Sequence, residues 1–295
     1  MNELQREKFK KLANLICEHQ KLNFKILNIG CRPIGEGPDL FDHILDYFSD
    51  SNIIGFETDK DLCDKLNKES SNGYKFFYQA LGEKNEKRKF YNTIHPMCSS
   101  LYMPNHKLLE RYQNLEIMKL KNISEVDTMS LDYFCIENQI ETIDLIKIDI
   151  QGGELDVFKG GENILKDTLF IISEVEFLPL YINQPLFGDV DNFLTKKDFM
   201  FNKFLTTGGR AIKPIIIKNN INTGETQTMW ADAIFVKDSE SIKGLDDQKV
   251  LKLAAISFLY GNPDMTFFCL SEYDLRKKTD LKIRYLKNIE SVIYK

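Results

Sequence analysis

The chain has 295 residues, 43% of them hydrophobic, enough for one substantial α/β core with an appendage or for two modest domains. Charged residues make up 28% and the formal net charge is −5, so nucleic acid is disfavoured as the main partner. Six scattered cysteines with no C-x-x-C pair argue against a disulfide framework or a zinc site and fit a reducing cytoplasm; no apolar run can span a bilayer, and the charged N-terminal segment lacks the apolar core of a secretory signal.

Residues 3–20 have the apolar spacing of an amphipathic helix. KILNIG (25–30) and SNIIGFE (51–57) are short apolar runs that end in a glycine and an acid, which predicts buried strands. Asp39–Phe48 and Lys60–Lys68 read as helices, and YKFFYQAL (74–81) as a third strand. This β-α-β-α-β rhythm predicts a parallel sheet with right-handed crossovers. The polar segment 82–126 is less regular, with RKFYN and NLEIMKLKNI as extra strands or long loops. IDLIKIDI (143–150) and TLFIISEVEF (168–177) read as central strands, with one broken or two short helices over 154–166 between them. A helix is expected over 187–199, strands around 200–205 and at 230–236, and a helical stretch over 239–295 that lies apart from the sheet.

Four constellations could carry chemistry. NIGCRPIGEGPD (28–39) puts a glycine-bearing loop after the first strand, where a ligand can approach the backbone. Gly30, Gly35 and Gly37 lack the dinucleotide G-x-G-x-x-G spacing, and an ordinary βα turn fits this segment equally well. Glu57 closes the second strand, where a carboxylate can accept both hydroxyl protons of a ribose; an isolated acid there is more often a solvated loop residue. Loop and acid together point to an adenosine-bearing ligand, either NAD or S-adenosylmethionine. In LIKIDIQGGELDVFKGG (145–161), Lys147 and Asp149 are charges inside an apolar strand, so they should face the carboxyl-end crevice or pair with each other. Glu154 opens the next helix, where a carboxylate can simply complement the helix dipole. In ISEVEF (172–177), Glu174 and Glu176 share one strand face, which suits base catalysis, metal binding or sugar recognition as well as a plain wet edge.

The segment IDLIKIDIQGGELDVFKGGENIL resembles the FkbM family of methyltransferases. FETDKDLCDKL, YQALGEKNEKRKFYNT with CSSLYMPN, VDTMSLDYF, EVEFLPLYINQPLF and WADAIFV are similar to further blocks of that family in the same order. The resemblance covers roughly residues 23–237. It implies an α/β class I methyltransferase fold, Rossmann-like, with a mixed, mostly parallel seven-stranded sheet and helices on both faces. The domains are then an N-terminal helix (1–22), a methyltransferase domain (23–237) and a helical C-terminal extension (238–295). The resemblance implies that S-adenosylmethionine binds near Gly30 and its loop, with Glu57 on the ribose, Ala80 and Leu81 beside the adenine, and Ser99, Ser100 and Asp149 completing the pocket. Asn28, Cys31, Arg32 and Thr58 belong to the same cofactor-binding set. Asn28 stands where an acid is usual, and Cys31-Arg32-Pro33-Ile34 separates Gly30 from Gly35.

A hydroxyl acceptor needs a base or a metal to take its proton. The candidates are Asp149, Glu174, Glu154 and His95, the last on a loop where histidines are mostly just solvated. Asp149 and Glu174 could also hold a divalent cation, but no metal is assigned. The expected function is methylation of a hydroxyl on a sugar or glycan precursor, in capsule, surface-polysaccharide or secondary-metabolite biosynthesis. N-methylation of a small amine or amide, an NAD-dependent sugar oxidoreductase or epimerase, and a non-catalytic binding module are the alternatives. No nucleic acid and no membrane span are expected, and the amphipathic terminal helices offer surfaces for a homo-oligomer.

Overall fold

The apolar runs that end in a glycine or an acid become the middle of one sheet. A computed structural model describes residues 1–32 and 39–289. Its strands are β1 (Lys25–Ile29), β2 (Asn52–Glu57), β3 (Tyr74–Tyr78), β4 (Ala80–Gly82), β5 (Glu86–Thr93), β6 (Leu120–Ser130), β7 (Leu145–Ile148), β8 (Phe170–Glu176), β9 (Phe199–Gly208) and β10 (Trp230–Lys237). Seven of them form a sheet in the order β3-β2-β1-β7-β8-β10-β9. Neighbours from β3 to β8 run parallel, and β10 is antiparallel to both β8 and β9. This is the mixed, mostly parallel α/β sheet expected. Strand order reverses between β1 and β7, which opens a crevice at their carboxyl ends.

Strand alternation divides the apolar side chains between two cores. Ile26, Ile53, Leu145, Ile172 and Ile234 face the N-terminal helix Glu3–Cys17 and the C-terminal helices. Leu27, Ile54, Ile146, Ile171 and Phe235 face the helices Leu131–Glu137, Glu154–Lys159, Ile164–Asp167 and Phe187–Thr195.

Four expectations need correction. The C-terminal stretch does not lie apart from the sheet. Val250, Leu253, Ala254 and Leu270 are buried in the same core as Ile234 and Val236, because that sheet face is apolar and has to be covered. Asp39–Phe48 is only a 3₁₀ helix over Leu40–Ile44. The run 74–81 breaks at Gln79, whose side-chain amide donates to the carbonyls of Ala80 and Asp127 as the chain crosses into a second sheet, β4-β6-β5. Lys147 does not reach the crevice or pair with Asp149; its Nζ lies 3.9 Å from Asp39. Gly35 and Gly37 lie outside the described residues.

Candidate active site

A cleft of about 690 Å³ opens at the carboxyl ends of β1, β2, β7 and β8, within the size range of small-molecule sites. Its roof comes from the second sheet and the loop after it, through Phe90, Asn92 and Cys98. Arg88 on β5 anchors that roof: it pairs with Asp156 at 2.7 Å, and the Tyr102 hydroxyl donates to the same carboxylate. The irregular segment 82–126 is therefore a hairpin cover over the cleft.

At one end stands Glu57, the buried last residue of β2. Its Oε1 accepts the N–H groups of Thr58 (2.8 Å) and Asp59 (2.9 Å). No hydrogen bond to Oε2 is present among the described residues. Arg32 approaches Glu57 at 3.5 Å and Asp59 at 3.1 Å, so its guanidinium is already engaged by carboxylates. Thr58, Ala80 and Leu81 line the same end.

Gly30 has φ +79°, and a Cβ there would lie 1.9 Å from the carbonyl oxygen of Asp149. Its glycine thus lets β1 pass β7, whatever else it admits. The N–H groups of Gly30 and Cys31 both donate to the Phe56 carbonyl, so neither is directed at a ligand. Cys31 is buried away from the cleft, and burial followed by the charge of Glu57 pushes its thiol up to about 12. Asn28 is buried and does not line the cleft.

At the centre, the Gln151 side-chain amide donates to Asp149 Oδ1 at 2.8 Å and to Glu174 Oε2 at 2.6 Å. Its oxygen accepts the Tyr181 hydroxyl at 3.0 Å, and its carbonyl accepts the Ser100 hydroxyl at 2.7 Å. Gln151 is held in the left-handed region at φ 62°, the conformation the Gln-Gly-Gly turn requires. Ser100 is thereby a clamp on the turn and does not line the cleft, whereas Ser99 and His95 do. Glu154 is buried beneath the centre, accepting the Ile150 N–H at 2.8 Å.

Oxygens of Asp149, Glu154 and Glu174 lie within 4.8 Å of one another. Such a set can share protons or hold a hard divalent cation. Burial, then the charge of Asp149, pushes Glu154 up to about 8 and Glu174 well above the usual carboxylate range. Glu176, buried in the same wall, is raised by burial and then by Glu154. Carboxylates that keep their protons near neutrality suit acid–base work.

Gln151, Tyr181, Arg210 and Trp230, which are not among the candidates the sequence offers, also border or brace this cleft. In sequence, Gln151 in Gln-Gly-Gly reads only as a turn residue. Tyr181, Arg210 and Trp230 come from distant parts of the chain, and no local spacing marks them.

A family model described as the methyltransferase FkbM domain matches residues 34–201, more than half of the chain. The chain belongs to the FkbM methyltransferase family. A 2-O-methyltransferase, NoeI, of Sinorhizobium fredii (strain NBRC 101917 / NGR234) is 46% identical over 59 residues. That stretch is 20% of this chain and 24% of NoeI, so the match spans about a quarter of the relative's length. A solved structure described as that of a candidate methyltransferase from Thermoplasma acidophilum aligns over 76% of this chain and 72% of its own, at 9% identity and a TM-score of 0.31. The fold assignment rests on strand order and direction. No helix among the described residues is long and apolar enough to cross a membrane.

Proposed function

We propose that this chain is an S-adenosylmethionine-dependent O-methyltransferase acting on a hydroxyl of a sugar or glycan precursor for capsule, surface-polysaccharide or secondary-metabolite synthesis. The observation that carries the reading is the Asp149–Gln151–Glu174 centre in the same cleft as Glu57. An amine acceptor needs little help once deprotonated, whereas a hydroxyl needs a base. Asp149, whose carboxylate borders the cleft and is fixed by Gln151, offers such a base and favours oxygen over nitrogen.

The residues fit the cofactor at the adenosine end. The second carboxylate oxygen of Glu57 is available to ribose hydroxyls, and Ala80, Leu81 and Phe56 offer apolar surface to an adenine. When bound, the cofactor supplies a methyl group on a sulfonium. Asp149 stands between that end and the acceptor end and takes the hydroxyl proton on its carboxylate, with Glu174 held beside it through Gln151. Gln151 fixes both oxygens, which keeps the acceptor aligned; alignment contributes on the order of 7–11 kcal/mol in ideal cases. The six free thiols fit a cytoplasmic setting.

The test incubates the protein with labelled S-adenosylmethionine and a panel of nucleotide sugars and polysaccharide fragments, read by mass spectrometry. A gain of one methyl on a sugar oxygen is expected. Methylation confined to amines, or stable absence of cofactor binding, would sink the reading.

A further inference from the structure

Arg210 is a cation in an acid-rich cleft, yet it forms no ion pair among the described residues. Its guanidinium lies 4.9 Å from the centre of the Trp230 ring. Nη1 donates to the carbonyls of Gly209 (2.9 Å) and Asn222 (3.0 Å). Nε is buried with no partner, and Nη2 makes no hydrogen bond among the described residues. Trp230 is itself seated by sequence: a Cβ at Gly208, its partner across β9, would lie 2.2 Å from the indole Nε1. The arginine is thus oriented by backbone and by an indole, with no carboxylate to neutralise it.

Arg210 follows β9, and in the sheet order β9 and β10 lie on the other side of β7 and β8 from β2, which carries Glu57. Trp230 pairs with Glu176 across β10 and β8, two residues beyond Glu174, and Cys98 lines the same cleft. The Cys98 carbonyl accepts the Tyr181 hydroxyl that also reaches Gln151, and its thiol feels both Asp149 and Arg210. An acceptor with its hydroxyl at Asp149 therefore extends toward Arg210. A half-buried guanidinium without a counter-ion favours an anion there, since arginine binds carboxylates and phosphates through paired N–H groups.

We propose that Arg210, stacked on Trp230, binds an anionic group of the acceptor, a carboxylate, sulfate or phosphate, and so selects acidic over neutral glycans. The proposal rests on the reading of this cleft as a sugar O-methyltransferase site, and it specifies the substrate class.

Binding is measured by calorimetry on the full chain saturated with S-adenosylhomocysteine. The probes are a glucuronate-containing disaccharide, its neutral glucose counterpart, glucose 1-phosphate and inorganic sulfate. The acidic disaccharide or the sugar phosphate should bind at least about tenfold tighter than the neutral sugar, and the stronger of the two identifies the anion. Arg210→Gln should remove that preference while S-adenosylhomocysteine affinity stays as in the wild type. Arg210→Lys, which keeps the charge but not the planar fork, should fall between. Equal affinity for acidic and neutral sugars overturns the subsite, as does Arg210-independent binding or no binding of any probe. Loss of S-adenosylhomocysteine affinity in Arg210→Gln also overturns it, by assigning the arginine to the cofactor. If only sulfate binds, and does so through Arg210, the anion subsite stands and the sugar reading fails.

Discussion

Lys252 places its ammonium 3.0 Å from both carboxylate oxygens of Asp144, the buried residue just ahead of β7. Asp144 also accepts the Lys25 N–H that opens β1, so one carboxylate ties the C-terminal helix Asp247–Leu259 to the two central strands. Burial raises the Asp144 carboxyl above its ordinary range even though Lys252 acts to lower it. Desolvation outweighs the pairing, as is common for ion pairs taken out of water.

Removing only the cation should therefore be costly. Lys252→Met should destabilise the protein by about 3–5 kcal/mol at pH 8, read from urea unfolding, and by less at pH 5, where Asp144 is more easily protonated. Asp144→Asn combined with Lys252→Met should recover much of the loss, because the amide oxygen still accepts the Lys25 N–H. Wild-type stability in the single variant would show that the C-terminal helices are not bound to the sheet through this pair.

That contact also marks where the sequence stopped being legible. Strands β1, β2, β7 and β8 were readable because each is a short apolar run buried on both faces. The role of the C-terminal helices was not, because their apolar residues show only that they must be buried, not against what. The 40–48 segment has apolar spacing that one α-turn and consecutive 3₁₀ turns both satisfy over so short a span. The β5–β6 cover is half-exposed and pairs Tyr91 with Ile123, far apart in sequence, so neither strand shows a clean alternation. Within the site, Glu57, Asp149 and Glu174 were legible as acids at strand ends. Gln151 was not, because its orientation depends on Tyr181 thirty residues away.

Glu57 carries the cofactor assignment and can be tested alone. Glu57→Ala should weaken S-adenosylhomocysteine binding by about 10–100-fold, the range for losing hydrogen bonds to a charged group. Because Oε1 also caps Thr58 and Asp59, Glu57→Gln serves as the control that keeps those bonds and should fall between. Unchanged affinity in Glu57→Ala, measured by calorimetry, removes Glu57 from the ribose site.

Gln151 should matter for turnover more than for cofactor binding. Gln151→Asn tolerates the left-handed backbone, but its shorter amide cannot span from Asp149 to Glu174. With the two carboxylates no longer bridged, kcat should fall about 10–100-fold, corresponding to about 1.5–3 kcal/mol for hydrogen bonds to charged groups. S-adenosylhomocysteine affinity and Tm should change little. A variant with normal kcat would mean that the bridge is only structural.

Glu154 supplies a pH-dependent stability prediction. Its folded value of about 8 lies above the ordinary carboxylate value, with burial the main cause. Between those two values the folded state holds a proton that the unfolded chain has released. Stability from this group is therefore fully present below the ordinary carboxylate value and is lost as pH rises through about 8. Glu154→Gln keeps an oxygen for the Ile150 N–H and cannot ionise. Between pH 5 and pH 9 the wild type should lose Tm relative to this variant, by several degrees if the difference is on the order of 1–2 kcal/mol. Melting curves that stay parallel across that range would show that Glu154 is ionised in the folded protein. Its interaction with Asp149 and Glu174 would then be repulsion held in place by the fold, without protons shared among the three carboxyl groups.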